Sequence, residues 1–206
     1  MTFARMEIPE VMEKLAPTAR FFGTSAMEHL DVIATHNTQI QLKAGECFPA
    51  VGYENNEVGY ILDGVIRVYF VDNFGNETTI RLLVEGDFTM YIDQAESMSR
   101  SNECRWEAVT DALMLTWSKA DVEFLLKNIP SWYLMTLKVM KSTMLQISVE
   151  RGEMFNDDAT VRYLKFIKRF PNIISRVPLR YVASYLGITP QSLSRIRQHV
   201  AKSSIN

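Results

Sequence analysis

The sequence predicts an α+β chain in three parts: an N-terminal antiparallel β-roll of the jelly-roll type, a long helix, and an all-α C-terminal segment. That last segment ends in a helix-turn-helix without a full wing. Three observations carry this reading. Glycines 45, 52, 59, 64, 75 and 86 punctuate short β-like runs between Gln39 and Trp117. From Pro130 to about Met154, apolar side chains recur at alternating spacings of three and four. Pro178 to Val200 then reads as two short helices joined at Gly187.

In chain order, residues 6–36 read as helical with a break at Pro17, and Ser25 is placed to cap a helix carrying Met27, Leu30, Ile33 and Ala34. Val58–Leu62, Val65–Val71, Thr78–Val84, Arg105–Thr110 and Ala112–Trp117 read as strands, with a hairpin turn at Asp72–Asn76. Ile66, Val68 and Phe70 alternate with Arg67 and Tyr69, the pattern of a half-buried strand. About eight such strands at close spacing imply a small barrel or jelly roll. Ser118–Asn128 reads as a short helix with Val122, Leu125 and Leu126 inward.

The long helix starts at Pro130. Leu137, Met140, Met144, Ile147, Arg151 and Met154 form a coiled-coil-like seam, which predicts a homodimer; the plainer alternative is a single buried helix with two apolar faces. Arg151 then needs an acid, and Glu150 or Glu153 of the other protomer is the expected partner. Met135, Leu145 and Val149 form a second stripe expected to pack on the roll. Phe155-Asn-Asp-Asp158 is a hinge, and Asp157 or Asp158 caps a helix whose core comes from Val161, Tyr163, Leu164, Phe166, Ile167 and Phe170. The boundaries that follow are 1–128 for the roll, 129–155 for the long helix and 156–206 for the helix-turn-helix segment.

Within that segment Val182, Ala183 and Leu186 share a helical face, Gly187 suits a left-handed turn, Thr189 is an N-cap, and Pro190 is a first helical residue. Leu193 and Ile196 face inward. Gln191, Ser192, Ser194, Arg195, Arg197, Gln198 and His199 remain outward, side chains suited to base edges and phosphates. The plainer alternative is a helical hairpin that only packs. Charge favours the first: residues 159–206 hold nine of the 22 Lys/Arg and none of the 24 Asp/Glu, leaving 13 bases against 24 acids in residues 1–158. Such a tail fits a polyanion.

With 206 residues and 47% hydrophobic content, the chain suits one large or two small globular domains. No apolar run approaches a membrane span, and Met1–Arg20 lacks a signal-peptide core, so a cytoplasmic protein with no membrane partner is expected. Cys47 and Cys104 have no metal-like spacing and read as small buried hydrophobes. Two cysteines are too few for an iron–sulfur centre. No histidine lies between His36 and His199, which argues against a cupin-type metalloenzyme. No enzyme activity, metal or cofactor is expected.

Lys43-Ala-Gly-Glu46, Gly52, Tyr60-Ile-Leu-Asp-Gly64-Val-Ile-Arg-Val-Tyr69, Gly75 and Glu85-Gly-Asp-Phe88 together resemble the β-roll of cyclic-nucleotide-binding domains. With Val182-Ala-Ser-Tyr-Leu-Gly-Ile188, the order of parts over roughly residues 25–200 resembles the Crp/Fnr transcription regulators. The resemblance implies a sensor roll, a dimer helix and a DNA-binding unit. Its partners would be double-stranded DNA with an inverted repeat, RNA polymerase and a small-molecule effector of unknown identity. Thr189, Gln191, Ser192, Arg195, Arg197 and Lys202 would make the DNA contacts.

The resemblance breaks at the effector pocket. Cyclic-nucleotide binders place a Gly-Glu pair and an arginine where this chain has Met90, Tyr91 and Asn102, with Arg100 and Arg105 nearby. A buried cyclic phosphate needs a charge-assisted partner, so no tight cyclic-AMP binding is expected. The alternative function is a small-molecule-binding or scaffold protein whose helix-turn-helix no longer binds DNA.

Overall fold

The computed structural model describes residues 6–22, 29–49, 56–90 and 103–203. Helices α1 (Ile8–Phe22) and α2 (Leu30–Thr35) precede eight strands among the described residues: β1 (Thr38–Leu42), β2 (Cys47–Phe48), β3 (Asn56–Asp63), β4 (Ile66–Val71), β5 (Glu77–Leu83), β6 (Phe88–Met90), β7 (Glu103–Ala108) and β8 (Ala112–Ser118). Helices α3 (Lys119–Asn128), α4 (Pro130–Asn156), α5 (Ala159–Arg169), α6 (Ile173–Arg176), α7 (Leu179–Tyr185) and α8 (Pro190–Ser203) follow. The strands form two antiparallel four-stranded sheets, ordered β1-β8-β3-β6 and β2-β7-β4-β5. This is the α+β roll the sequence predicts.

The molecule is layered. Between the sheets lie Ile40, Leu42, Phe48, Ile61, Ile66, Val68, Leu83, Trp106 and Met114. The outer face of the first sheet supplies Tyr60, Leu115 and Trp117, which pack on Val11, Leu15, Ile33, Leu125, Trp132 and Met135 of the helices. Trp117 Nε1 donates to the Ile33 carbonyl at 3.1 Å, so the buried indole is satisfied. On the outer face of the second sheet, Val65 and Leu82 join Phe166, Val182, Ala183, Leu186 and Leu193. The C-terminal helices therefore sit on the roll.

Several expectations are corrected. The helix does not break at Pro17: α1 runs through it, because Val11, Leu15 and Ala19 make one buried stripe while Pro17 faces solvent. The Ser25 cap lies outside the described residues. Arg67 and Tyr69 are buried like Ile66 and Val68, since α7 covers the face that alternation would leave wet. Leu126, Val161 and Leu164 are exposed rather than inward. Cys47 is exposed and Cys104 only half-buried; burial pushes the Cys104 thiol up to about 11. Leu145 and Val149 do not pack on the roll, being 65% and 47% exposed, whereas Met135 does.

Candidate nucleic-acid interface

The turn between α7 and α8 is fixed by local chemistry. Ile188 N–H donates to the Ala183 carbonyl and Gly187 N–H to the Ser184 carbonyl, both at 3.0 Å. Gly187 has φ +65°, the left-handed region that closes such a turn. Thr189 Oγ1 accepts from Ser192 N–H at 3.1 Å and caps α8, with Pro190 as its first residue. Beneath the turn Val182, Ala183 and Leu193 are fully buried. The small methyl side chain of Ala183 is what lets the two helices cross closely.

This packing aims the rest of α8 outward. Gln191, Ser194, Arg195 and Gln198 are exposed and recur at spacings of three and four, so they form one ridge. Ser192 and Arg197 are half-buried, and Lys202 lies exposed in the last turn. The ridge offers fork and amide donors at a spacing that suits the major groove.

The basic tail is less free than its composition implies. Arg169 pairs with Glu150 at 2.9 Å and Glu153 at 3.3 Å, and Lys165 with Asp157 at 2.7 Å. Arg176 makes a two-pronged contact with Glu85 at 2.5 and 3.0 Å. It holds that carboxyl well below its ordinary 4.5, at about 2. Arg162 donates to the Leu186 and Asp157 carbonyls, and Arg180 to the Tyr181 hydroxyl. Among the described residues, Lys168, Arg195, Arg197 and Lys202 make no ion pair or side-chain hydrogen bond.

No protein-family model matches the chain, and no curated protein sequence matches it. Solved structures do. A CooA variant from Carboxydothermus hydrogenoformans superposes with a TM-score of 0.61 at 18% identity, over 84% of this chain and 79% of that one. FixK2 from Bradyrhizobium japonicum gives 0.63 at 15%, over 82% and 86%. A transcriptional regulator assigned to the Crp/Fnr family, from Eubacterium rectale, gives 0.61 at 15%, over 91% and 87%.

The fold is that of the Crp/Fnr regulators.

Within this Crp/Fnr fold, α4 carries Leu137, Met140, Met144, Ile147 and Met154 at 46%, 43%, 67%, 45% and 44% exposure, with Arg151 exposed among them. The acids expected to meet Arg151 across the seam are already engaged: Glu150 and Glu153 hold Arg169 of the same protomer. Arg151 instead lies 5.9 Å over the Phe155 ring.

Of the expected effector residues, Tyr91, Arg100 and Asn102 lie outside the described residues, and Met90 ends β6 with its side chain undescribed. Arg105 stands exposed on β7, alternating with Cys104 and Trp106 that face the core, so it points out of the roll. Between the sheets the packing is tight at Gly59, where an added Cβ would meet Met114 Cε at 2.5 Å. A separate cavity of about 390 Å³ lies where β5, the end of α4, α5 and α7 meet, lined in part by Ile80, Ile147, Met154 and Phe166. Sequence reasoning missed this cavity, with Thr79 and Ser184 on its wall, and the neighbouring contact of Arg67 on β4 with Tyr181 on α7. Its one signal was an arginine at an outward position of an apolar strand.

Proposed function

We propose that the chain is a dimeric, sequence-specific DNA-binding transcription regulator. It divides into a sensor roll (1–128), a dimer helix (129–155) and a DNA-reading unit (156–206). The observation that carries the reading is the exposed ridge of α8 held by a capped glycine turn, with Arg195, Arg197 and Lys202 left unpaired around it. Gln191, Ser192 and Arg195 read base edges, while Thr189, Arg197 and Lys202 hold the backbone. The seam Leu137–Met154 joins two copies, so the target is an inverted repeat with half-sites ~34–36 Å apart. RNA polymerase is the further partner of such a regulator.

The roll takes no cyclic AMP, since Tyr91 and Asn102 stand where a carboxylate and an arginine are needed. Calorimetry with cyclic AMP should show no micromolar isotherm. Selection of bound sequences from a random pool tests the main reading. Wild type should enrich a palindrome. Arg195→Ala should lose ~1–3 kcal/mol on it and relax one base pair per half-site. Enrichment of no palindrome, or an unchanged motif in Arg195→Ala, would overturn the assignment.

A further inference from the structure

We propose that Arg67 and Tyr181 form the pin of a latch that docks the DNA-reading unit on the sensor roll, and that docking sets the spacing of the two recognition helices. The DNA arm of this inference rests on the regulator reading; the docking arm does not.

The junction is built from polar groups that belong to two different units. Arg67 stands on β4 and is 2% exposed. Its guanidinium lies between two rings, 3.9 Å from the centroid of Tyr69 on the roll and 3.8 Å from that of Tyr181 on α7. Glu77 and Glu107, both on the roll, accept from it at 2.7 and 2.6 Å. A second pin is Thr79 of β5, whose N–H donates to Ser184 Oγ of α7 at 2.9 Å. Arg176 on Glu85 is the third. Val65 and Leu82 fill the space between with Val182 and Ala183.

Such a contact is built to release. A dry guanidinium is costly, and here its Nε finds no partner. When α7 lifts away, Arg67 keeps both glutamates and regains water. The roll alone therefore satisfies the cation, and Tyr181 adds the stacking that makes the docked pose preferred. The unit's other attachment, through Asn156–Asp158 and the Arg169 pairs to α4, needs no contact with the roll. The arrangement has a tether and a separate clasp.

The docked pose leaves the α8 ridge exposed, so the clasp does not mask DNA. Its effect is on geometry. A unit free on its tether loses orientational freedom when both half-sites engage; a clasped unit has already lost it. Opening the clasp therefore weakens binding to the full inverted repeat and leaves single half-site binding unchanged.

The Thr79 amide reports the clasp directly. Tyr181→Ala keeps the roll's Arg67–glutamate pairs and removes the stacked ring together with its hydroxyl, which donates to Glu107 at 3.5 Å and accepts from Arg180. In full-length dimer, hydrogen exchange at Thr79 should quicken about tenfold while central β3 amides keep their rates. Affinity for the full inverted repeat should fall about tenfold with half-site affinity unchanged. Tyr181→Phe retains the ring and loses only the long hydroxyl bond to Glu107 and the one from Arg180, so it should stay close to wild type in both assays. If Tyr181→Ala does not fold, Arg67→Lys, which keeps the charge and loses the flat stacking group, takes its place. Unchanged Thr79 exchange, or equal weakening of half-site and full site, would overturn the latch. If wild type binds no DNA, the regulator reading falls and the exchange result alone decides the docking.

Discussion

Gly187 meets two demands at one position. Its φ of +65° disfavours any side chain, and an added Cβ would sit 2.6 Å from Met154 Cε at the end of α4. Gly187→Ala should therefore cost ~1–2 kcal/mol, seen as a lower denaturant midpoint with an unchanged slope. The first demand was legible in the sequence, since a glycine two residues before a Thr-Pro cap, following an apolar helical face, marks a tight turn between two helices. The second was not, because it depends on a methionine 33 positions earlier. Glu85 teaches the same lesson. Arg176 lowers its carboxyl from 4.5 to about 2, so its contribution is full above pH 4.5 and lost as pH falls toward 2. Glu85→Gln should cost ~0.5–1 kcal/mol near neutral pH, a small value for a pair about a third exposed. The gap between the two proteins should close over that acidic window, which acid titrations of docking monitored by Thr79 exchange will read.

At the scale of elements, α4 was placed well and its faces only in part. The three–four spacing gave its start at Pro130 and an end two residues short of Asn156. Its N-terminal turns pack on the roll through Trp132 and Met135. Its last turns meet the DNA-reading unit through Glu150, Glu153 and Met154. Periodicity cannot say where along a helix the neighbours begin and end, which is why Leu145 and Val149 were assigned to the roll. Met144, 67% exposed at the middle of the proposed seam, is the residue at which that proposal is tested most directly. Met144→Glu places like charges face to face on two protomers, and sedimentation should show monomer where wild type shows dimer. The strands were legible as elements for a simple reason: glycine turns and alternation are local. Burial of both faces of β4 was not, because its cover comes from α7, 114 residues away at the Arg67–Tyr181 contact.

At the scale of the molecule, composition overstated the charge available to a polyanion. Nine cations in residues 159–206 would release about eighteen counterions per dimer and give a slope of log K against log salt near −16. The fold neutralises three of them with carboxylates, Lys165, Arg169 and Arg176, leaving six per chain, about twelve per dimer and a slope of roughly −11. Binding isotherms across a salt series separate the two values. The layered packing also bears on self-association. Among the described residues, β5 closes one side of its sheet with no strand beyond it. An unguarded strand of that kind recruits copies of itself, and the hydroxyl of Ser184, with the helix behind it, occupies the place where a neighbour would pair. The C-terminal helices thus shield this edge of the roll. A roll severed after Asn156 should therefore self-associate more readily than the full chain, which light scattering of the two would show.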